Sequence, residues 1–158
     1  MLSATIKTRF GPFTMAMDED SVVRGAVFGD VGRLRQVLPG VKFKSDEEAS
    51  RMMSRMLRAW FAGSDRFAIR PEGTPFQKRV WDEVQNIPRG TTRTYKEIAA
   101  RLKTSPRAVG RALGSNPIAL LVPCHRVVGA EGGLIGYAFG VGIKKMILEF
   151  EKERRLTG

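Results

Sequence analysis

The stretch TYKEIAARLKTSPRAVGRALG, Thr94 to Gly114, decides how the second half of the chain folds. Thr94 and Glu97 have capping-box spacing, in which a hydroxyl and a carboxylate satisfy the free backbone donors of a first helical turn. Ile98, Ala99 and Leu102 form a short apolar face, and Lys103-Thr104 makes a turn. Ser105-Pro106 restarts a helix, with serine as N-cap and proline at the first helical position. Val109 and Leu113 form its inward face. Two short helices joined by a tight turn read as a helix-turn-helix. The second leaves Arg107, Gly110, Arg111 and Gly114 on an outward stripe beside Ala108 and Ala112, small enough to let it approach another surface closely.

Upstream, Thr74-Pro75-Phe76-Gln77 opens another capped helix, with Phe76, Val80 and Val84 on one face and Trp81 beside it; Pro88-Arg89-Gly90 breaks it. Arg70-Pro71-Glu72-Gly73 reads as a linker. The chain's start alternates through Ile6, Phe10, a Gly11-Pro12 turn, Phe13, Met15 and Met17, then Val22 to Phe28, which predicts an antiparallel meander of about three strands. Residues 29–44 carry no clear period. Ser45 and Glu48 predict a capping box ahead of a helix whose core stripe is Met52, Met53, Met56, Leu57, Trp60 and Phe61, ended by Gly63. Downstream, Asn116-Pro117 opens the apolar run Ile118–Val122, which reaches Pro123-Cys124-His125-Arg126-Val127-Val128. A glycine-rich loop, Gly129 to Gly142, carries Tyr137. In the last helix Ile143, Met146, Ile147 and Phe150 predict the core face, with Glu151 at its edge. The expected fold is α/β (α+β): residues 1–70 a small antiparallel sheet with a helix, residues 71–158 a mainly helical domain.

The 158 residues include 27 Lys and Arg against 16 Asp and Glu, a formal net charge of +11. The excess is densest from Arg89 to Arg111, where Arg89, Arg93, Lys96, Arg101, Lys103, Arg107 and Arg111 meet only Glu97 in sequence. Such a cluster favours polyanions, because binding them releases condensed counterions. Cys124 and His125 are each the only residue of their kind, so an intramolecular disulfide and a multi-cysteine zinc site are both excluded. No long apolar run suggests a signal peptide or a membrane span. These features predict a protein of a reducing compartment that holds DNA.

A cysteine reacts as its thiolate. His125 can take the thiol proton directly or through a water, and Glu151 is an available carboxylate to fix the histidine tautomer. The residues alone leave a second reading open. Lone cysteines are often inert core residues, and neighbours on a strand point to opposite faces.

Pro123-Cys124-His125-Arg126-Val127 resembles the signature of the O6-alkylguanine-DNA alkyltransferases. Thr74–Gln77 with Val80-Trp81, Ile87-Pro88-Arg89-Gly90 with Thr94-Tyr95, Ser105–Gly110, Asn116-Pro117, Gly136-Tyr137 and Lys144 resemble further segments of that family in its order. The similarity runs through residues 74–151; residues 1–70 match only in general pattern. It implies a ribonuclease H-like first domain and a winged-helix-like second. It also implies a single, irreversible transfer of an alkyl group from O6-alkylguanine in double-stranded DNA, with O4-alkylthymine a further candidate, to Cys124. His125 would act through a water as base, Glu151 would orient it, and Asn116 would brace the turn before the active-site strand. Tyr95 would help rotate the nucleotide and assist the leaving guanine. Arg107 would fill the gap left by the flipped base, with Ser105, Ala108, Gly110, Arg111 and Thr94 against the DNA minor groove. Tyr137, Val127, Ala138, Trp81 and Ala119 would line the base pocket. No cofactor, metal or membrane is implied, and the expected protein is a prokaryotic, cytoplasmic, nucleoid-associated monomer.

Three features depart from the family pattern, and one is that the zinc ligands found in the N-terminal domain of some members cannot be formed here, since the only cysteine is the acceptor. Ala138-Phe139 stand where small residues are frequent, which bears on the pocket rim, and Gly114-Ser115 replace a frequent basic-glycine pair, which removes one phosphate contact. Two other functions fit part of the pattern. A Cys-His hydrolase would turn over through a thioester, and a DNA-binding regulator would survive loss of Cys124.

Overall fold

The computed structural model describes the backbone of residues 1–157 and the side chains of residues 1–154. The chain forms two compact units, Met1–Glu72 with Pro117–Leu121, and Gly73–Asn116 with Val122 onward. The five residues Pro117–Leu121 thus belong with the first unit, although the sequence reading groups them with the second.

In the first unit, β1 (Leu2–Thr8), β2 (Gly11–Met17) and β3 (Val23–Phe28) form the meander the alternation predicts. The sheet order is β3-β2-β1-β4, with β4 (Lys44–Ser45) parallel to β1. The hairpin turn falls on Arg9-Phe10, and Gly11, at φ +106°, returns the chain into β2, a conformation glycine adopts without steric cost. Central β2 is buried from Phe13 to Met17, which is why its residues are nearly all apolar. The unpatterned 29–44 stretch contains α1 (Val31–Val37), capped by Asp30. Helix α2 (Glu47–Phe61) is capped by Asp46, whose carboxylate accepts from Ala49 N at 2.9 Å. Ser45 is instead in β4, so the cap lies one residue later than the capping-box pattern placed it. Trp60 and Phe61 reach the strands: Phe10 lies 6.3 Å from Trp60 and 5.6 Å from Phe61, and Phe13 lies 4.9 Å from Phe28. Edge-to-face and stacked aromatic pairs add to the burial of their area. Pro117–Leu121 extends beside β3, with Ala26 N donating to Pro117 O and Ala119 N to Ala26 O.

In the second unit, α3 (Pro75–Val84), α4 (Tyr95–Leu102) and α5 (Pro106–Gly114) form the three-helix core. Thr74 completes the predicted capping box with Gln77. Thr94 caps α4 by accepting from Glu97 N at 3.1 Å, and Ser105 caps α5 by accepting from Ala108 N at 3.1 Å. Lys103 closes α4 in the left-handed region, at φ 55°. β5 (Arg93–Thr94) pairs in parallel with β6 (Val127–Val128).

Cys124–Arg126 is one turn of 3-10 helix. The active-site strand implied by the resemblance begins only at Val127, so the opposite-face geometry of a strand does not separate Cys124 from His125. The last helix, α6 (Val141–Thr157), buries Lys144, Ile147, Phe150 and Glu151, whereas Met146 is 41% exposed. Its inward face is therefore rotated from the all-apolar stripe expected, and two ionisable side chains occupy it.

Candidate active site

Cys124, His125, Arg126, Lys144 and Glu151 are all buried within the second unit. Buried ionisable groups persist only when paired or hydrogen-bonded. Glu151 supplies the pairing. His125 Nε2 lies 2.9 Å from Glu151 Oε1, and Arg126 Nε lies 3.1 Å from each carboxylate oxygen, with Nη2 2.5 Å from Oε2. Arg126 Nη1 donates to Ile87 O at 2.9 Å. Burial raises the Glu151 carboxyl pKa, but the His125 and Arg126 hydrogen bonds and charges outweigh it and hold the group at about 2. Burial pushes the His125 pKa down against the pull of Glu151. An ionised carboxylate only accepts hydrogen bonds, so a neutral His125 carries its proton on Nε2. Its Nδ1 has no protein partner among the described residues and presents a lone pair.

Burial pushes the Cys124 thiol up to about 12, against a hydrogen bond from the Asn116 side chain and the charge of Lys144, both of which lower it. Asn116 Nδ2 also donates to Val122 O at 3.3 Å. Cys124 lines a cavity with Leu113, Asn116 and Gly136–Phe139. Its free volume is about 10 Å³, room for about one water. Tyr137 and Phe139 rings meet edge-on at 5.5 Å.

Among the described residues Lys144 has no carboxylate partner. Its Nζ donates to Val127 O at 2.6 Å and Ile135 O at 2.8 Å, and sits 5.7 Å from the centre of the Tyr95 ring. Burial lowers its pKa to about 8, the Cys124 thiolate opposing that shift. Tyr95 Oη donates to Ile135 O at 3.0 Å and Gly136 O at 3.3 Å. Gly136 is required at this crossing: it sits at φ +67°, and a Cβ there would lie 2.8 Å from Tyr95 Oη.

The outer face is a groove of about 900 Å³ whose lining includes Thr94, Tyr95, Lys96, Arg107, Gly110 and Arg111. Glu131, at φ 57° in the glycine-rich loop, contributes an acidic side chain to it. Lys96, Arg107 and Arg111 are exposed. Lys103 is exposed as well, but Arg89, Arg93 and Arg101 are less available than their sequence suggests. Arg101 is paired with Glu83 across from α3, Arg93 reaches Glu97 at 4.0 Å, and Arg89 buries Nε and Nη1. Ser105 is spent on capping, and Ala108 is half-buried.

Of the expected pocket residues, Tyr137 and Ala138 line the Cys124 cavity, and Trp81, Val127 and Ala119 do not. Trp81 is buried in the helical core, with Nε1 donating to Ala112 O at 2.8 Å and Gly73 so close that a Cβ there would meet the ring at 2.5 Å. Val127 is buried in β6, and Ala119 belongs to the first unit. Sequence reasoning assigned no task to Arg126 or Lys144. The available signal was a lone cation inside an apolar run and a lysine on the inward face of a helix, since an unpaired buried charge is not tolerated.

Residues 75–153 match the 6-O-methylguanine DNA methyltransferase DNA-binding domain, which sets the class of the second unit. A methylated-DNA–protein-cysteine methyltransferase of Methanosarcina acetivorans is 43% identical over 156 residues, 96% of this chain and 98% of its own length. The crystal structure of Mycobacterium tuberculosis OGT in complex with DNA is 38% identical, with TM-score 0.82, and the match covers 98% of this chain and 94% of that one. The O6-methylguanine-DNA methyltransferase of the hyperthermophilic archaeon Pyrococcus kodakaraensis is 30% identical, with TM-score 0.78, and the match covers 94% of this chain and 98% of that one. The chain belongs to the methylated-DNA–protein-cysteine methyltransferase family.

Proposed function

We propose that the protein repairs DNA by direct reversal, taking an alkyl group from O6 of guanine in duplex DNA onto Cys124, once per molecule. The observation that carries this reading is the buried Cys124 thiol with a neutral His125 next in the chain, the histidine fixed by a carboxylate that Arg126 keeps ionised.

Burial holds the resting Cys124 as the neutral thiol at pH 7. The proton must therefore leave as the sulfur attacks. His125 Nδ1 takes it, through a water, and the Nε2–H bond to Glu151 stabilises the resulting imidazolium. The S–C bond forms as the C–O6 bond breaks. The bonding pair passes into the guanine ring, and a proton equivalent to the one lost by sulfur returns the base to its neutral form. Thiol and leaving base supply all the chemistry, so the reaction needs no cofactor. The product is a thioether, which does not hydrolyse, and the protein is spent.

A purine exceeds the resting cavity at Cys124. Asn116 and Cys124 are buried, whereas Gly136–Phe139 lie on a partly exposed loop, so this is the wall that yields. Tyr95 Oη leaves the carbonyls of Ile135 and Gly136 to reach the base. Extruding a nucleotide costs a few kcal/mol of stacking, and Arg107, on the exposed face of α5, fills the gap. Arg111, Lys96, Thr94 and Gly110 hold the phosphate backbone and groove edge. With DNA as its partner, the protein works as a monomer with the genome, in the cytoplasm of a prokaryote.

Intact-mass analysis after incubation with an O6-methylguanine duplex tests the reading. The expected result is a single methyl on Cys124, one per protein, with none on Cys124→Ala, which still binds duplex. Continued turnover beyond one equivalent would overturn it in favour of a hydrolase.

A further inference from the structure

Two buried polar atoms near the thiol have no protein partner among the described residues: His125 Nδ1, which the reaction uses, and Tyr137 Oη, which it does not. The Tyr137 hydroxyl is therefore not tied to any described protein group at rest and is available to donate. Tyr137 shares the small cavity with Cys124. Its surroundings are anionic on two sides: burial first, then the negative charges of Cys124 and Glu151, push its own pKa well above the ordinary value. A hydroxyl in that position stays protonated in the cavity where the reaction creates negative charge.

We propose that the Tyr137 hydroxyl is a hydrogen-bond donor to the negative charge that develops at Cys124, in addition to its ring forming the cavity wall. The inference rests on the alkyl-acceptor reading of Cys124. The groups already acting on the sulfur are the Asn116 side chain and the Lys144 charge, and burial outweighs both. Tyr95, the other phenol that feels the Cys124 charge, has its hydroxyl committed to Ile135 O and Gly136 O at rest and to the base in the reaction. Glu151 is held by His125 and Arg126. Tyr137 Oη, which has no protein partner among the described residues, is thus the hydroxyl of the Cys124 cavity that these bonds leave uncommitted, and it can turn onto the sulfur without rearranging the buried ion pair.

Tyr137→Phe removes this donor and keeps the ring and its contact with Phe139. Two measurements are made on the variant: the single-turnover rate with an O6-methylguanine duplex, and alkylation of Cys124 by iodoacetamide between pH 6 and 9. The second does not depend on DNA repair, so it reports on the sulfur even if the alkyl-acceptor reading fails. Both rates are expected to fall roughly 10- to 100-fold, the worth of one hydrogen bond to a charged group. The iodoacetamide profile should move to higher pH by about one unit or more, while the melting temperature and affinity for undamaged duplex stay near those of the parent. An unmoved profile, with both rates within twofold of the parent, overturns the proposal. So does an unmoved iodoacetamide profile combined with a loss of duplex affinity or folding, which would make Tyr137 a wall residue only.

Discussion

The Cys124 centre and the groove face of α5 lie in the same unit and are both rich in charge, yet they hold it in opposite ways. In the centre, His125, Arg126, Lys144 and Glu151 are excluded from water, and all but Lys144 are joined through one carboxylate. On the groove, Lys96, Arg107 and Arg111 stand in solvent, where salt screens them. A buried set is interdependent: removing one member leaves another charged and unpaired. An exposed set is closer to additive, each cation contributing a screened increment. The difference separates two costs of the reaction, making a nucleophile from a thiol that burial has suppressed and holding a nucleotide out of its stack.

The largest effect should come from breaking the buried set. Arg126→Met leaves the Glu151 carboxylate with His125 alone in a dry site. Equilibrium denaturation should show a loss of about 3–5 kcal/mol, the cost of orphaning one partner of a buried pair. A loss below 1 kcal/mol would mean that water reaches Glu151 and that the centre is no different in kind from the groove.

Next in size is acid sensitivity. Glu151 drops from its ordinary 4.5 to about 2 in the folded state. A depressed carboxyl pKa stabilises the fold above the unfolded value, and that stability is lost as pH falls from about 4.5 towards about 2. At about 1.4 kcal/mol per unit, the loss is roughly 3 kcal/mol. Glu151→Gln should be less stable at neutral pH, where Arg126 is unpaired, and should lose less over that window. Parallel acid curves for the two proteins would show that other carboxylates carry the effect.

The sequence made these two regions legible to different depths. Helix boundaries on the groove side follow from local rules: Thr74, Thr94 and Ser105 cap the helices they were read to cap, because an N-cap bond spans three residues and depends on nothing distant. The cap at α2 slipped to Asp46 because two adjacent residues could each serve and β4 claimed Ser45. The centre needed contacts across 25 residues or more, such as Arg126 to Glu151 and Arg126 to Ile87, which no periodicity reports. The family signature brought Cys124, His125 and Glu151 forward, and only the fold shows what holds the carboxylate ionised. Trp81 was misread as a pocket residue because its place beside the apolar face does not reveal that Ala112 takes its N–H.

On the groove, Arg107→Ala should slow repair within duplex DNA roughly 10- to 100-fold, equivalent to about 1.4–2.8 kcal/mol of a base-extrusion cost. Transfer from free O6-benzylguanine needs no extrusion and should change less than twofold. Equal losses on both substrates would tie Arg107 to the centre.

The smallest effect tests which charges of the Arg89–Arg111 stretch face DNA. Each phosphate contact contributes about one unit to the slope of log affinity against log salt, so a cation that meets phosphate should lower that slope by about one when removed. Lys96 lines the groove and is exposed. Arg101, five residues further along α4, is equally cationic in sequence but is paired with Glu83. Removing it frees an acidic side chain and costs, as an exposed pair, at most about 1 kcal/mol of stability. Lys96→Ala should therefore reduce the slope by about one with undamaged duplex, and Arg101→Ala should leave it nearly unchanged. The alkyl-transfer rate on free O6-benzylguanine should be the same in both, because neither cation lies in the Cys124 cavity. If the two variants lower the slope equally, DNA spans α4 beyond the groove and the Glu83 pair opens on binding. If neither does, the contact is carried by α5 alone, and the groove's charge is concentrated on Arg107 and Arg111.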